Sequence, residues 1–169
     1  MRHKVIRKQK NGRYCFACGT ENPAGLRAYF YEMEDGALTA LFTPREEHQS
    51  YPGRVHGGIS AALLDEAMGR AIMVREPEIW GVTMTIQLKY RKPVPLGVPL
   101  RVIARVTKNT SRAFEAAGEL LLPDGSVAVT AGGKFIKLPM EKIISEELDV
   151  NEEMFLVEDP DDPQWISYE

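Results

Sequence analysis

The chain has 169 residues, 27% of them charged, and a formal charge of −3. That length suits one domain with a sizeable core. No apolar run reaches the roughly 18 residues of a membrane-spanning helix, and the basic start, MRHKVIRKQKNGR, lacks the apolar stretch of a secretory signal. With only Cys15 and Cys18 as thiols, a cytoplasmic setting is expected. The charge is uneven. Residues 141–169 carry eleven acidic side chains and one lysine, a local −10, which leaves +7 on residues 1–140. The expected organisation is a domain over 1–140, opened by a mobile basic arm of about fifteen residues. An acidic, solvated extension over 141–169 follows, with Phe155, Leu156 and Trp165 as its apolar anchors.

In chain order, CFACGTENPAGL at 15–26 is dense in Gly, Pro and Asn and reads as a turn-rich loop. Strands are predicted over about Leu26–Met33 and Ala37–Thr43, joined by a Glu34-Asp35-Gly36 turn. A loop, PREEHQSYPGRV, leads to a helix from near Gly57 to about Arg75, where Glu76-Pro77 stops it. Its apolar residues cover most of the circumference, the pattern of a helix enclosed by other elements. Period-two alternation then marks Val82–Arg91, Leu100–Thr107, Phe114–Leu122 and Val127–Leu138 as strands, the last two joined at Pro123-Asp124-Gly125-Ser126. Met140–Val150 is expected to form a short helix. The fold class is α+β, an antiparallel sheet of about six strands wrapped around one long helix.

Within the helix, Asp65 shares its face with Ala61, Ala62, Met68, Gly69 and Ile72 and has no charged partner there. A carboxylate held among apolar groups is costly, and its pKa should rise, which suits a base near neutral pH. Glu66, by contrast, has Arg70 at i+4 and reads as an ordinary helical ion pair.

These pieces resemble the hot-dog fold acyl-CoA thioesterases, in the branch of the phenylacetic-acid-pathway and 4-hydroxybenzoyl-CoA thioesterases. The resemblance rests on CFACGTENPAGL, on YPGRVHGGISAALLDEAMG at 51–69, on TIQLKYRKPVPLG at 85–97 and on the Asp-Gly hairpin, and it covers about residues 14–138. It implies hydrolysis of an acyl-CoA ester to free acid and CoA. Gly57 would offer its N–H to the thioester carbonyl, and Asp65 would act as base or nucleophile. It also implies a homodimer, or a dimer of dimers, with each site built from two subunits. Such relatives often carry Asn or Gln at the position of Ser50, beside His48 and Gln49.

The remaining candidates have plainer readings beside functional ones. His56 either fixes the turn or orients substrate, and Gly58 is either a turn glycine or part of the oxyanion loop. Thr83 and Thr85 lie on a strand's polar face, where either could bond a carboxylate or water, though Thr is common in strands. Asn109, Ser111 and Arg112 form the preferred contact for CoA phosphates among a basic set that includes Lys89, Arg91, Lys92, Arg101, Arg105 and Lys108.

His48 paired with Asp65 would give the acid/base couple of an acyl-thioester hydratase or dehydratase. The commoner hydratase pattern, Asp then His five residues on, fails at Arg70. A non-catalytic acyl-CoA sensor is the other alternative, but it would be expected to carry an effector domain for which the chain leaves no room. Cys15-x-x-Cys18 is half a zinc set with no second pair, and His3 and His48 lack motif spacing. No metal and no cofactor beyond the CoA of the substrate are expected. No helix-turn-helix or stacked-aromatic pattern favours nucleic acid, and no membrane partner is indicated.

Overall fold

A computed structural model describes residues 1–169. Twelve elements of regular structure run in the order β1 (Arg2–Lys8), β2 (Asn11–Gly12), β3 (Tyr29–Met33), β4 (Leu38–Phe42), α1 (Gly57–Arg70), β5 (Ile79–Tyr90), β6 (Leu100–Asn109), β7 (Ala113–Leu121), β8 (Val127–Pro139), α2 (Val150–Glu153), β9 (Met154–Phe155) and β10 (Trp165–Ser167). A 3-10 turn, Ala71–Val74, continues α1 to the stop expected at Glu76-Pro77. Eight strands make one sheet in the order β10-β1-β3-β4-β6-β7-β8-β5, and β2 pairs separately with β9. No helix is long and apolar enough to cross a membrane.

The sheet curls around α1 because α1 has apolar side chains to bury. Leu63, Leu64, Ala67 and Met68 are fully buried, among Phe30, Leu38, Val102, Phe114, Leu120 and Phe135. Each such side chain contributes roughly 1.5–3 kcal/mol when removed from water. The enclosure is incomplete along one strip of the helix, where Gly58 is exposed and Ala61, Ala62, Asp65 and Glu66 are half-buried. On the enclosed side, Gly69 and Gly81 bring α1 close to β5. A Cβ on Gly81 would sit 2.6 Å from the Phe114 ring and 2.7 Å from the Gly69 carbonyl oxygen.

Four expectations about the termini and strand count are corrected. The first residues are a strand rather than a mobile arm: β1 pairs antiparallel with β10 (Arg2↔Ser167) and with β3 (Lys8↔Tyr31). Counting β1 and β10, the main sheet has eight strands rather than six. Met140–Val150 is not one helix, since a 3-10 turn covers Met140–Lys142 and α2 begins only at Val150. The tail docks through other side chains than expected as well. Trp165 and Leu156 are largely exposed, while Ile166 and Tyr168 are buried, because strand alternation turns Ile166 inward between Trp165 and Ser167.

Charge complements the tail docking. Both oxygens of Asp162 accept from Lys8 Nζ, at 2.6 and 2.7 Å, and Oδ1 also accepts from the Tyr31 hydroxyl at 2.7 Å. Burial alone would raise the Asp162 carboxyl, but these two donors outweigh it and hold the group below the usual carboxylate range. A lowered folded-state pKa contributes stability above the unfolded value and loses it as pH falls through the folded one. Asp162→Asn should therefore cost about 1–2 kcal/mol at neutral pH. The difference should be full at about pH 7 and smaller at about pH 3, because it fades as pH falls below the unfolded value of about 3.9 toward the lowered folded one. Urea melts at the two pH values check this; equal stability at neutral pH would contradict it.

Candidate active site

α1 starts abruptly at a turn held by two histidines. His56 is the N-cap, extended at φ −62° and ψ 136°, and its Nδ1 accepts the Gly58 N–H at 2.9 Å. The His56 N–H donates to the His48 carbonyl at 2.9 Å. The Ile59 and Ser60 N–H groups both reach the His56 carbonyl. The Gly57 N–H is thus the one donor of the first turn with no acceptor in the protein. It points from the positive end of the helix dipole, where a developing oxyanion is favoured. Tyr90 Oη donates to the Gly57 carbonyl at 2.7 Å, and its ring lies against the glycine. A pocket of about 410 Å³ opens here, with Ser50, Arg54, Gly57, Tyr90, Arg91 and Lys92 among its lining residues.

Asp65 lies two turns further on, half-buried, and takes part in no ion pair. Its Oδ1 accepts from the Thr83 hydroxyl at 2.8 Å. Burial raises the carboxyl above its ordinary range; the Thr83 bond pulls it partly back, and the neighbouring Glu66 charge adds to the rise. Thr83 reaches Asp65 because β5 bulges. Thr83 pairs with Phe135 and Thr85 with Lys134, so β5 has one residue more than β8 across Met84. Before the bulge, Gly81 and Thr83 face α1; after it, Ile86 and Leu88 do. Thr85 falls on the outer face, away from Asp65.

The other candidates separate. His48 is not a solvated loop residue: it is 1% exposed, Nδ1 accepts the Arg45 N–H at 3.0 Å, and Nε2 lies 3.3 Å from the Ala24 carbonyl oxygen. Both ring nitrogens are committed to backbone, which leaves none for a hydratase-type pairing with Asp65. Gln49 Oε1 accepts the Gly53 N–H and closes the loop before the helix. Asn109 donates to Glu76 Oε1 at 2.9 Å, beyond the opposite end of α1, and Ser111 and Arg112 lie in the exposed turn after it. One chain does not bring them to Gly57. The cations beside Gly57 are instead Arg54, Arg91 and Lys92. Tyr90 lies in the TIQLKYRKPVPLG stretch but is not singled out there as a site residue; only the fold brings it to the helix start.

The Glu66–Arg70 pair proves less ordinary than its spacing suggests. Arg70 is 3% exposed, donates through Nε to Glu66 Oε1 at 2.6 Å, and caps the Lys10 carbonyl at 2.9 Å. Its guanidinium lies between the Phe30 and Trp80 rings, and Nη2 is 3.0 Å from Cys18 Sγ. The Cys18 thiol, hydrogen-bonded to Cys15, holds Cys15 down to about 7, and is itself raised by that bond and by burial.

The thioesterase superfamily family model matches residues 52–129, the stretch that holds Gly57, Asp65 and Thr83. Human acyl-coenzyme A thioesterase 13 is 33% identical over 73 residues, 43% of this chain and 52% of its own length. The acyl-coenzyme A thioesterase THEM4 of Xenopus laevis is 27% identical over 110 residues, 64% of this chain and 49% of its own. The chain thus spans about half the length of these curated relatives. The crystal structure of RHA08564, a thioesterase superfamily protein, superposes with a TM-score of 0.67 at 31% identity, covering 73% of this chain and 60% of that one. The fold and these matches together support a hot-dog fold thioesterase.

Arg70 supplies the one cation buried against Glu66. Replacing it by Met keeps the volume and strands the Glu66 carboxylate. Because Glu66 is 27% exposed, Arg70→Met should cost more than the ~1 kcal/mol of an exposed pair but less than the roughly 3–5 kcal/mol of a fully buried one, read from a denaturant melt. A loss under about 1 kcal/mol, the range of an exposed pair, would contradict this reading.

Proposed function

We propose that the protein hydrolyses an acyl-CoA thioester to a free acid and CoA, at sites shared between two copies of the chain. The observation that carries this reading is the unpartnered Gly57 N–H at the start of the helix that also holds Asp65. Eight residues of helix separate the two by about 12 Å along the axis. One carbonyl cannot meet both groups of the same chain. A second copy, running the opposite way, brings its Asp65 to the Gly57 of the first.

Support for the pairing comes from β5. It is a sheet edge of 12 residues, bonded only to β8, with Met84 57% exposed. A long edge of unpaired backbone groups calls for cover, and a second β5 laid antiparallel supplies it.

In the proposed reaction the thioester oxygen accepts the Gly57 N–H. Asp65 of the second copy, oriented by Thr83, takes a proton from a water as its oxygen adds to the carbonyl carbon. The tetrahedral oxyanion is held by the amide and the helix end. Its collapse breaks the C–S bond, and the CoA sulfur leaves with the proton from Asp65. Arg54, Arg91 and Lys92 beside Gly57 suit the CoA phosphates. The names of the relatives support the acyl-CoA class.

Two substitutions test the roles separately. Asp65→Asn should lower kcat for thiol release by about 10²–10⁴. Gly57→Pro removes the free N–H and adds a ring whose Cβ meets Tyr90 at 3.4 Å, at a first helical position where proline is tolerated and after a residue already extended. It should lower kcat by about 10²–10³ with the fold intact by circular dichroism. Either variant turning over acyl-CoA esters at the wild-type rate would remove that group from the reaction. Sedimentation equilibrium should give two or more chains per particle, and a fully active monomer would contradict the shared site.

A further inference from the structure

The CxxC loop, which the proposed hydrolysis leaves unused, acquires a third donor in the folded chain. Cys15 Sγ, Cys18 Sγ and a Glu66 carboxylate oxygen all lie within 4.8 Å of one another. Around a tetrahedral ion with metal–sulfur bonds of about 2.3 Å and metal–oxygen bonds of about 2.0–2.2 Å, such atoms sit roughly 3.5–3.8 Å apart. Cys15 Sγ is already 3.8 Å from Glu66 Oε1. We propose that Cys15, Cys18 and Glu66 bind one divalent zinc-type cation, with water in the fourth position.

Four features fit this reading. Each sulfur faces a backbone donor: the Cys18 N–H is 3.4 Å from Cys15 Sγ, and the Gly12 N–H is 3.0 Å from Cys18 Sγ. Donors aimed at both sulfurs stabilise the thiolates that a metal would hold, against the burial that raises the Cys18 thiol. The turn that gathers them closes through the Gly19 N–H to the Cys15 carbonyl at 2.7 Å, so tightly that a Cβ at Gly19 would lie 2.3 Å from that oxygen. Arg70 balances the charge. Two thiolates, one carboxylate, one guanidinium and a divalent cation sum to zero, in a place where an unbalanced charge is costly. Lastly, Cys15 and Glu66 are half-buried while Cys18 is buried, so the cluster opens to solvent on the side where a fourth ligand would sit. Two thiolates select zinc over magnesium or calcium. None of the three histidines takes part: His3 stacks on Tyr168, His48 is spent on backbone, and His56 caps α1.

Binding releases the two thiol protons to solvent and oxidises nothing. The bound ion ties the loop before β3 to α1 at the residue next to Asp65. This does not depend on the proposed hydrolase activity, because its readouts are metal content and spectra rather than turnover.

The test uses the untagged full chain, purified under reducing conditions without chelator. Elemental analysis should find about one zinc per chain. After chelation, Co²⁺ titration should produce thiolate-to-cobalt charge-transfer and tetrahedral d–d bands that saturate at one equivalent and are reversed by Zn²⁺. Cys15→Ser, at the half-exposed ligand, should keep the fold and lose the charge-transfer intensity of one sulfur. Absence of both zinc and the cobalt–thiolate bands in the wild type would overturn the proposal without recourse to any variant. So would a native chain two hydrogens lighter by mass, with Cys15 and Cys18 joined as a disulfide.

Discussion

β5 carries one more residue than β8 across Met84, and that extra residue decides what faces the central helix. Without it, the phase set by Ile86 and Leu88 would continue upstream, bringing Val82 and Met84 against α1 and leaving Thr83 outside. With it, Gly81 meets Gly69, Thr83 meets Asp65, and Val82 and Met84 are turned out. The close helix–strand approach, the hydroxyl on the carboxylate and the apolar outer surface at the sheet edge share one cause. A bulge beside a functional side chain is a recurring way of re-aiming it.

The second constraint is the length of α1 between its two chemical groups. A helix start leaves N–H groups without partners, and here the cap and the backbone occupy all but Gly57's. Leaving that donor free has a cost that a substrate oxygen can relieve. Asp65 is too far along the same helix to serve the same carbonyl. The proposed pair of chains joined along β5 would resolve this with two equivalent sites, each drawing one group from each copy. Asp65 is only half-buried in the single chain because the strip of α1 that holds it is where the sheet does not close.

Much of the frame was legible in the sequence. The apolar run over 57–74 and the four alternating segments after it follow from periods of 3.6 and two, which burial enforces strongly. The isolation of Asp65 could be read from its helical face. The bulge could not, because Val82 to Tyr90 alternate without a break and nothing local separates Thr83 from Thr85. The terminal strands were hidden for another reason. β1 is RHKVIRK, whose charges read as a solvated arm, and its partner β10 lies some 160 residues away. The same distance effect concealed the roles of His48, whose Nε2 meets the Ala24 carbonyl 24 residues earlier, and of Glu66, which meets Cys15 across 51 residues. Local pattern reveals which face of an element is apolar; it does not reveal which remote polar groups will be brought against it.

The central claim is that a working site takes Gly57 from one chain and Asp65 from another. Co-expressing two inactive chains, one with Asp65→Asn and one with Gly57→Pro, tests it directly. In random pairs, half are mixed, and each mixed pair holds one site with both native groups, so roughly a quarter of wild-type thiol release should return. A mixture no more active than either variant alone would contradict the shared site.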